Sequence, residues 1–275
     1  VTNVKVIRPL FAEGATLSLV LLGTSTVSAG STAGSSAGRT CSGTLAKPGS
    51  IAPGTYSSLT VVGFCLGPPT GNVVVKGDVT VTKGAALAAN YPAFAAGAPE
   101  GDANWVVRGN VSVGQGATLL LGCEPAVNCV NTTHDAVKGN VTANGALGVV
   151  LHSDNIGGNV TYTGGGGGVN CNPGFGPFSF GVYSDAEDDV ITGNLTVTDL
   201  RSCWFGEFRN IVMGSDTVQR NRFADPDATE IANNEVLGDL TCFNNTPDAQ
   251  FGDSVQPPNV VVGAIRGECK PLSIH

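Results

Sequence analysis

The chain has little charge, few rings and no long apolar run. Only 13% of its 275 residues are charged and 6% aromatic, with two Trp, one Met and three His. Sparse charge argues against a surface of solvated helices. No segment of useful length shows a 3.6-residue apolar period, so few helices are expected. There is no cluster of Lys and Arg, which argues against nucleic acid and anionic membrane surfaces as partners. No apolar 20-mer appears, so no membrane span is expected in the mature chain. CxxC pairs are missing, which argues against a cysteine zinc site. A Lys-Ser/Thr phosphate-loop motif is missing too, although residues 164–168 are five consecutive Gly.

The N-terminus resembles an export signal. Lys5 and Arg8 give a short positive region, residues 15–22 are small and aliphatic, and Val27-Ser28-Ala29 offers the small-x-small pattern of a cleavage site. A buried N-terminal strand or helix is the competing reading. The expected organisation is a signal peptide over 1–29, a flexible Gly/Ser-rich leader over 30–40, and one domain over 41–275. Cleavage near Ala29 would leave 12 basic and 21 acidic residues, net −9, in a product secreted or held at the cell surface.

Eight Cys lie beyond that point: Cys41, Cys65, Cys123, Cys129, Cys171, Cys203, Cys242 and Cys269. An even number in an exported chain implies disulfides. Spacing alone cannot give the connectivity, and the simplest pairing is sequential.

One phrase recurs: VKGDVTV (75–81), VRGNVSV (107–113), VKGNVTA (137–143), IGGNVTY (156–162), ITGNLTV (191–197) and VLGDLTC (236–242). Gly-Asn or Gly-Asp supplies a turn, through the left-handed backbone angles these residues tolerate. Val-Thr-Val then alternates apolar and polar faces. In three copies a second Gly follows, at Gly84, Gly116 and Gly145. Conserved strands with variable spacing are the mark of a solenoid, in which stacking buries the aliphatic face that one coil cannot bury alone. Asn110, Asn140, Asn159 and Asn194, with Asp78 and Asp239, are expected to stack as a corner ladder. The fold class expected is all-β, a right-handed parallel β-helix with disulfide-stapled loops. A β-sandwich is the alternative.

These phrases resemble the repeats of right-handed parallel β-helix proteins exported by bacteria and, to a lesser degree, bactofilin-type β-helices. The stretches CWFGEFRN (203–210), NNEVLGDLTCFNN (233–245) and PPNVVVGAIRGEC (258–269) resemble exported actinobacterial proteins whose function is unassigned. The resemblance implies a fold and carries no catalytic residue.

Several clusters could bear chemistry. Asp185, Glu187, Asp188 and Asp189 form an acidic run able to hold a hard cation such as calcium, or to supply the carboxylate pair of a glycosidase. A solvated loop is the plainer reading. Asp225, Asp227 and Glu230 form a second acidic group around Pro226. Trp204 and Tyr183, with Phe205 and Phe208 nearby, could stack on sugar or fill core. His134-Asp135 and His152 with Asp154 resemble acid–base partners in sequence only. The function expected is a structural or binding solenoid without a recognisable catalytic set, with cell-wall or extracellular polysaccharide as the partner. The alternatives are a polysaccharide lyase, a glycoside hydrolase or a glycan-binding module.

Overall fold

A computed structural model describes residues 37–90, 103–123, 131–172, 181–254 and 256–275. Residues 1–29, expected to be a signal peptide, most of the expected leader, and Cys129 lie outside these. The chain forms a parallel β-helix. Three sheets of 10, 8 and 10 strands run along its length, and the chain visits the first, second and third in turn before starting the next coil. Every strand-to-strand ladder among the described residues is parallel, which excludes the antiparallel sandwich. No α-helix occurs among them, only a 3₁₀ turn at Lys270–Leu272. The first strand among the described residues is Arg39–Cys41, two residues ahead of the expected domain start.

The recurring phrase is the corner from third sheet to first, plus the first-sheet strand. Val79, Val111, Val141, Val160 and Leu195 stack in register as one buried column. Each such side chain contributes about 1.5–3 kcal/mol by leaving water. The intervening Thr80, Ser112 and Thr142 face out. A further coil sits inside the 45-residue gap between Gly193 and Gly238. It runs through Ile211–Val212, Gly214-Ser215 and Asp216–Gln219. It escaped the pattern because Ser215 replaces the ladder Asn and Asp216 replaces the core aliphatic.

The ladder forms as expected. Asn110 Oδ1 accepts the Asn140 N–H at 2.9 Å, Asn140 Oδ1 that of Asn159 at 2.8 Å, and Asn159 Oδ1 that of Asn194 at 2.8 Å. Asp78 precedes the row, and Ser215 and Asp239 continue it. The reason for its glycines differs from expectation. Positive φ occurs instead at the other corner, at Gly84, Gly116 and Gly145 (φ 69°, 67° and 66°), not at Gly77, Gly109 or Gly139. A Cβ on Gly139 would lie 2.5 Å from Asn110 Oδ1 and 2.6 Å from Gly109 O, so this corner needs glycine for room.

A second ladder, buried, occupies the corner from second sheet to third. Asp154 N–H donates to Asp189 Oδ1, Asp189 N–H to Asn210 Oδ1, Asn210 N–H to Asn234 Oδ1, and Asn234 N–H to Asn259 Oδ1, all at 2.8–3.0 Å. The residues just before its members, Ser153, Asp188, Arg209 and Asn233, have φ of 57–61°. A third, shorter ladder joins Asn221, Asn245 and Glu268.

Cys41–Cys65, Cys171–Cys203 and Cys242–Cys269 are disulfides, as sequential pairing expects. Cys123 is also disulfide-bonded, and the expected 123–129 pair involves a residue outside those described. The first and last of the three lie in the core, one near each end of the described stack, and each joins two adjacent coils.

Corner lengths decide where function can reside. The third-to-first connection is three residues long in eight successive coils, from 76–78 to 262–264. Length varies at the two borders of the second sheet, so the loops gather around that sheet's outer face.

Candidate functional site

Four strands of the second sheet build the site: Gly148–His152, Tyr183–Glu187, Trp204–Phe208 and Glu230–Ala232. Strand alternation sends Leu151, Ala186, Phe205 and Ile231 into the core, and their neighbours outward. Register then aligns the outward residues. His152 lies beside Glu187 and then Phe208, Asp185 beside Gly206 and then Glu230, and Tyr183 beside Trp204.

These residues border a hollow of about 390 Å³, lined by His152, Tyr183, Asp185, Glu187, Trp204 and Asp225, with the Cys171–Cys203 disulfide as part of its wall. A second hollow of about 280 Å³, bordered by Glu230, Arg209 and Asp253, lies across the Trp204 ring. Trp204 and Phe208 stack at 6.1 Å with planes 19° apart, and Tyr183 meets Trp204 edge-on at 6.3 Å. Gly206 between them is obligatory, since a Cβ there would lie 2.2 Å from Trp204 Cη2. The indole N–H donates to Glu230 Oε1 at 2.9 Å, fixing the ring.

The polar floor is buried. His152 Nε2 lies 3.3 Å from Asp185 Oδ1, with both side chains under 5% exposed. Burial disfavours the imidazolium, but the carboxylates of Asp185, Glu187 and Asp189 together outweigh it, Asp185 foremost, and raise the His152 pKa to about 9. Burial, followed by the charge of Asp185, pushes the Glu187 carboxyl up, against the pull of His152 and Arg209. Arg209 Nη2 donates to Glu187 Oε2 at 3.0 Å and to Asp188 Oδ2 at 2.6 Å. Burial likewise raises Glu230, to about 7.

The acidic run 185–189 is therefore divided. Asp185 and Glu187 face the hollow. Asp188 occupies the left-handed corner and pairs with Arg209, and Asp189 turns inward into the buried ladder. The second acidic group shares the face, through Asp225 at the first hollow and Glu230 beside Trp204. Compared with known families, curated proteins and solved structures, the chain matches none of them. The site thus stands on its own geometry.

Sequence reasoning singled out Asp185, Glu187, Tyr183 and Trp204, and the structure brings these four together. His152 and Asp154, partners in sequence only, form no dyad: Asp154 is buried, and the carboxylate beside His152 is that of Asp185, which the sequence did not mark as its neighbour. Coil register could have found it, because His152 and Glu187 end equivalent strands. His134 is exposed while Asp135 is buried, accepting the Trp105 and Gly122 N–H groups, so this pair makes no dyad. Cys171, Cys203 and Asp225 also converge, but both sulfurs are committed to a disulfide.

Proposed function

We propose that the protein is an exported solenoid that binds an extracellular or cell-wall polysaccharide on the outer face of its second sheet. The observation that carries this reading is the row Tyr183–Trp204–Phe208 beside the buried carboxylates of Asp185 and Glu230 and the half-buried one of Glu187. A sugar ring presents C–H groups to an aromatic face and hydroxyls to carboxylate acceptors, and this surface offers both within one hollow. Its volume falls in the range of small-molecule sites, about 300–1,000 Å³. The disulfides fit an oxidising compartment, and no described helix is long and apolar enough to cross a membrane. The small-x-small pattern at Ala29 and the resemblance to exported bacterial β-helices support export.

A glycan array and a cell-wall pull-down test the reading. The folded protein should retain a polysaccharide, and Trp204→Ala should lose most of that binding. Undiminished binding by Trp204→Ala refutes the assignment.

A second reading, a carbohydrate-active enzyme, is favoured by the placement of both acidic groups on one face. Carboxylate oxygens of Asp185 and Glu187 lie within 4.8 Å of each other, close to the separation of about 5–5.5 Å in retaining glycosidases. Turnover of the retained polysaccharide that disappears in Glu187→Gln would establish it, and binding without turnover rejects it.

A further inference from the structure

We infer that His152, Asp185 and Glu187 form a three-ligand site for a divalent transition-metal ion, zinc being the best fit, with its open position facing the hollow. One imidazole nitrogen and two carboxylate oxygens lie within 4.8 Å of one another. Two ligands about 2.0–2.1 Å from a tetrahedral zinc stand roughly 3.3–3.4 Å apart. The His152 Nε2 to Asp185 Oδ1 distance is 3.3 Å. A charge-assisted N–H···O contact would instead close to about 2.7–2.9 Å. Asp185 Oδ1 is buried and accepts no hydrogen bond from the described residues, so the pair is held at ligand spacing rather than drawn together.

The surroundings suit a metal. All three residues project from paired strands in fixed register, which places donors more accurately than loops do. Arg209 donates to Glu187 Oε2, the outer-shell support that ligating carboxylates receive. Three protein ligands beside a hollow of about 390 Å³ leave room for a water or substrate oxygen as the fourth. The donor set selects the ion class. Calcium takes six to eight oxygens, whereas an imidazole with two carboxylates suits zinc. Asp188 and Asp189, which would complete an all-oxygen calcium set, face elsewhere. The inference concerns the same hollow as the saccharide reading but does not depend on it.

The test uses the mature, untagged, chelator-treated protein without glycan. Calorimetric titration with zinc chloride should show one site per chain, and cobalt(II) should give the visible absorption of a low-coordinate ion. His152→Ala and Glu187→Gln should each weaken zinc binding at least 100-fold while far-UV circular dichroism is unchanged. Trp204→Ala should bind zinc normally, so a failure here is separable from a failure of saccharide binding. A measurement needing no variant is nitrogen-15 NMR of the three histidines, in which zinc should shift the Nε2 resonance of His152 alone. No zinc binding by folded wild type, equal affinity in the two ligand variants, an unshifted His152, or calcium binding in zinc's place would each overturn the inference.

Discussion

Replacing Asn234 by Ala should damage the protein far more than replacing Asn140, although only Asn140 belongs to the repeated phrase. Asn234 is 1% exposed, and its side chain makes four hydrogen bonds. Oδ1 accepts from the N–H and the side-chain amide of Asn210, both at 3.0 Å, and Nδ2 donates to Glu207 O at 3.0 Å and Asn259 Oδ1 at 2.9 Å. Alanine leaves two Asn210 donors buried without acceptors, at about 1–3 kcal/mol each, so the loss is about 4 kcal/mol. For a domain of this size that corresponds to a fall of roughly 8–16 °C in Tm. Asn140 is exposed, and its Oδ1 accepts the Asn159 N–H at 2.8 Å. Water can replace it there, and its backbone is not left-handed, so Asn140→Ala should cost about 0.5–1 kcal/mol. Calorimetry and denaturant titration of both variants with intact disulfides would measure the difference. Equal shifts, or a larger one for Asn140→Ala, would refute the claim that burial rather than repetition sets the worth of a rung.

Glu207 and Asp216 face one another in the core, and burial pushes both carboxyls up, Glu207 further by the charge of Asp216. The folded state therefore keeps protons that the unfolded chain releases above about pH 4, so stability is full below that pH and falls as pH rises through the elevated folded values. Melting temperature should be higher at pH 5 than at pH 8, and Glu207→Leu with Asp216→Leu should flatten that slope and add about 1–4 kcal/mol at pH 8, as replacing buried polar pairs can; an unchanged slope refutes the assignment. Removing Cys242–Cys269, whose members are 27 residues apart, should cost about 3–4 kcal/mol by loop entropy, read from denaturant midpoints. Removing Cys171–Cys203 should instead weaken ligand retention more than its effect on Tm explains, because that bridge walls the hollow. Non-reducing mass spectrometry should find no free thiol.

The part of the fold legible in the sequence is the part every coil must repeat. The Gly-Asn corner and the Val-Thr-Val strand recur because each rung packs on an equivalent one. The coil at Ile211–Gln219 was hidden because Asp216 takes a position that is aliphatic in the adjacent coils, at Leu195 and Leu240. The buried ladder was legible but unread: Asp154, Asp189, Asn210 and Asn234 each stand four residues before a corner glycine, Gly158, Gly193, Gly214 and Gly238, just ahead of the phrase that marks the repeat. The site was half visible. Residue types flagged Asp185, Glu187 and Trp204, but which of them face the hollow depends on alternation within one strand. Its partner His152 comes from the preceding coil, 33 residues earlier, across a loop whose length no periodicity sets.

The constant three-residue corner and the variable borders of the second sheet give the molecule a spine and a workbench. A coil such as 107–137 has matching rungs above and below, and none of its described residues lines the hollow. Duplicating it would lengthen the rod by one strand spacing, about 4.8 Å, while the bench moved along unaltered. Reach and recognition can therefore be changed separately in this architecture, one by adding coils and the other by changing loops.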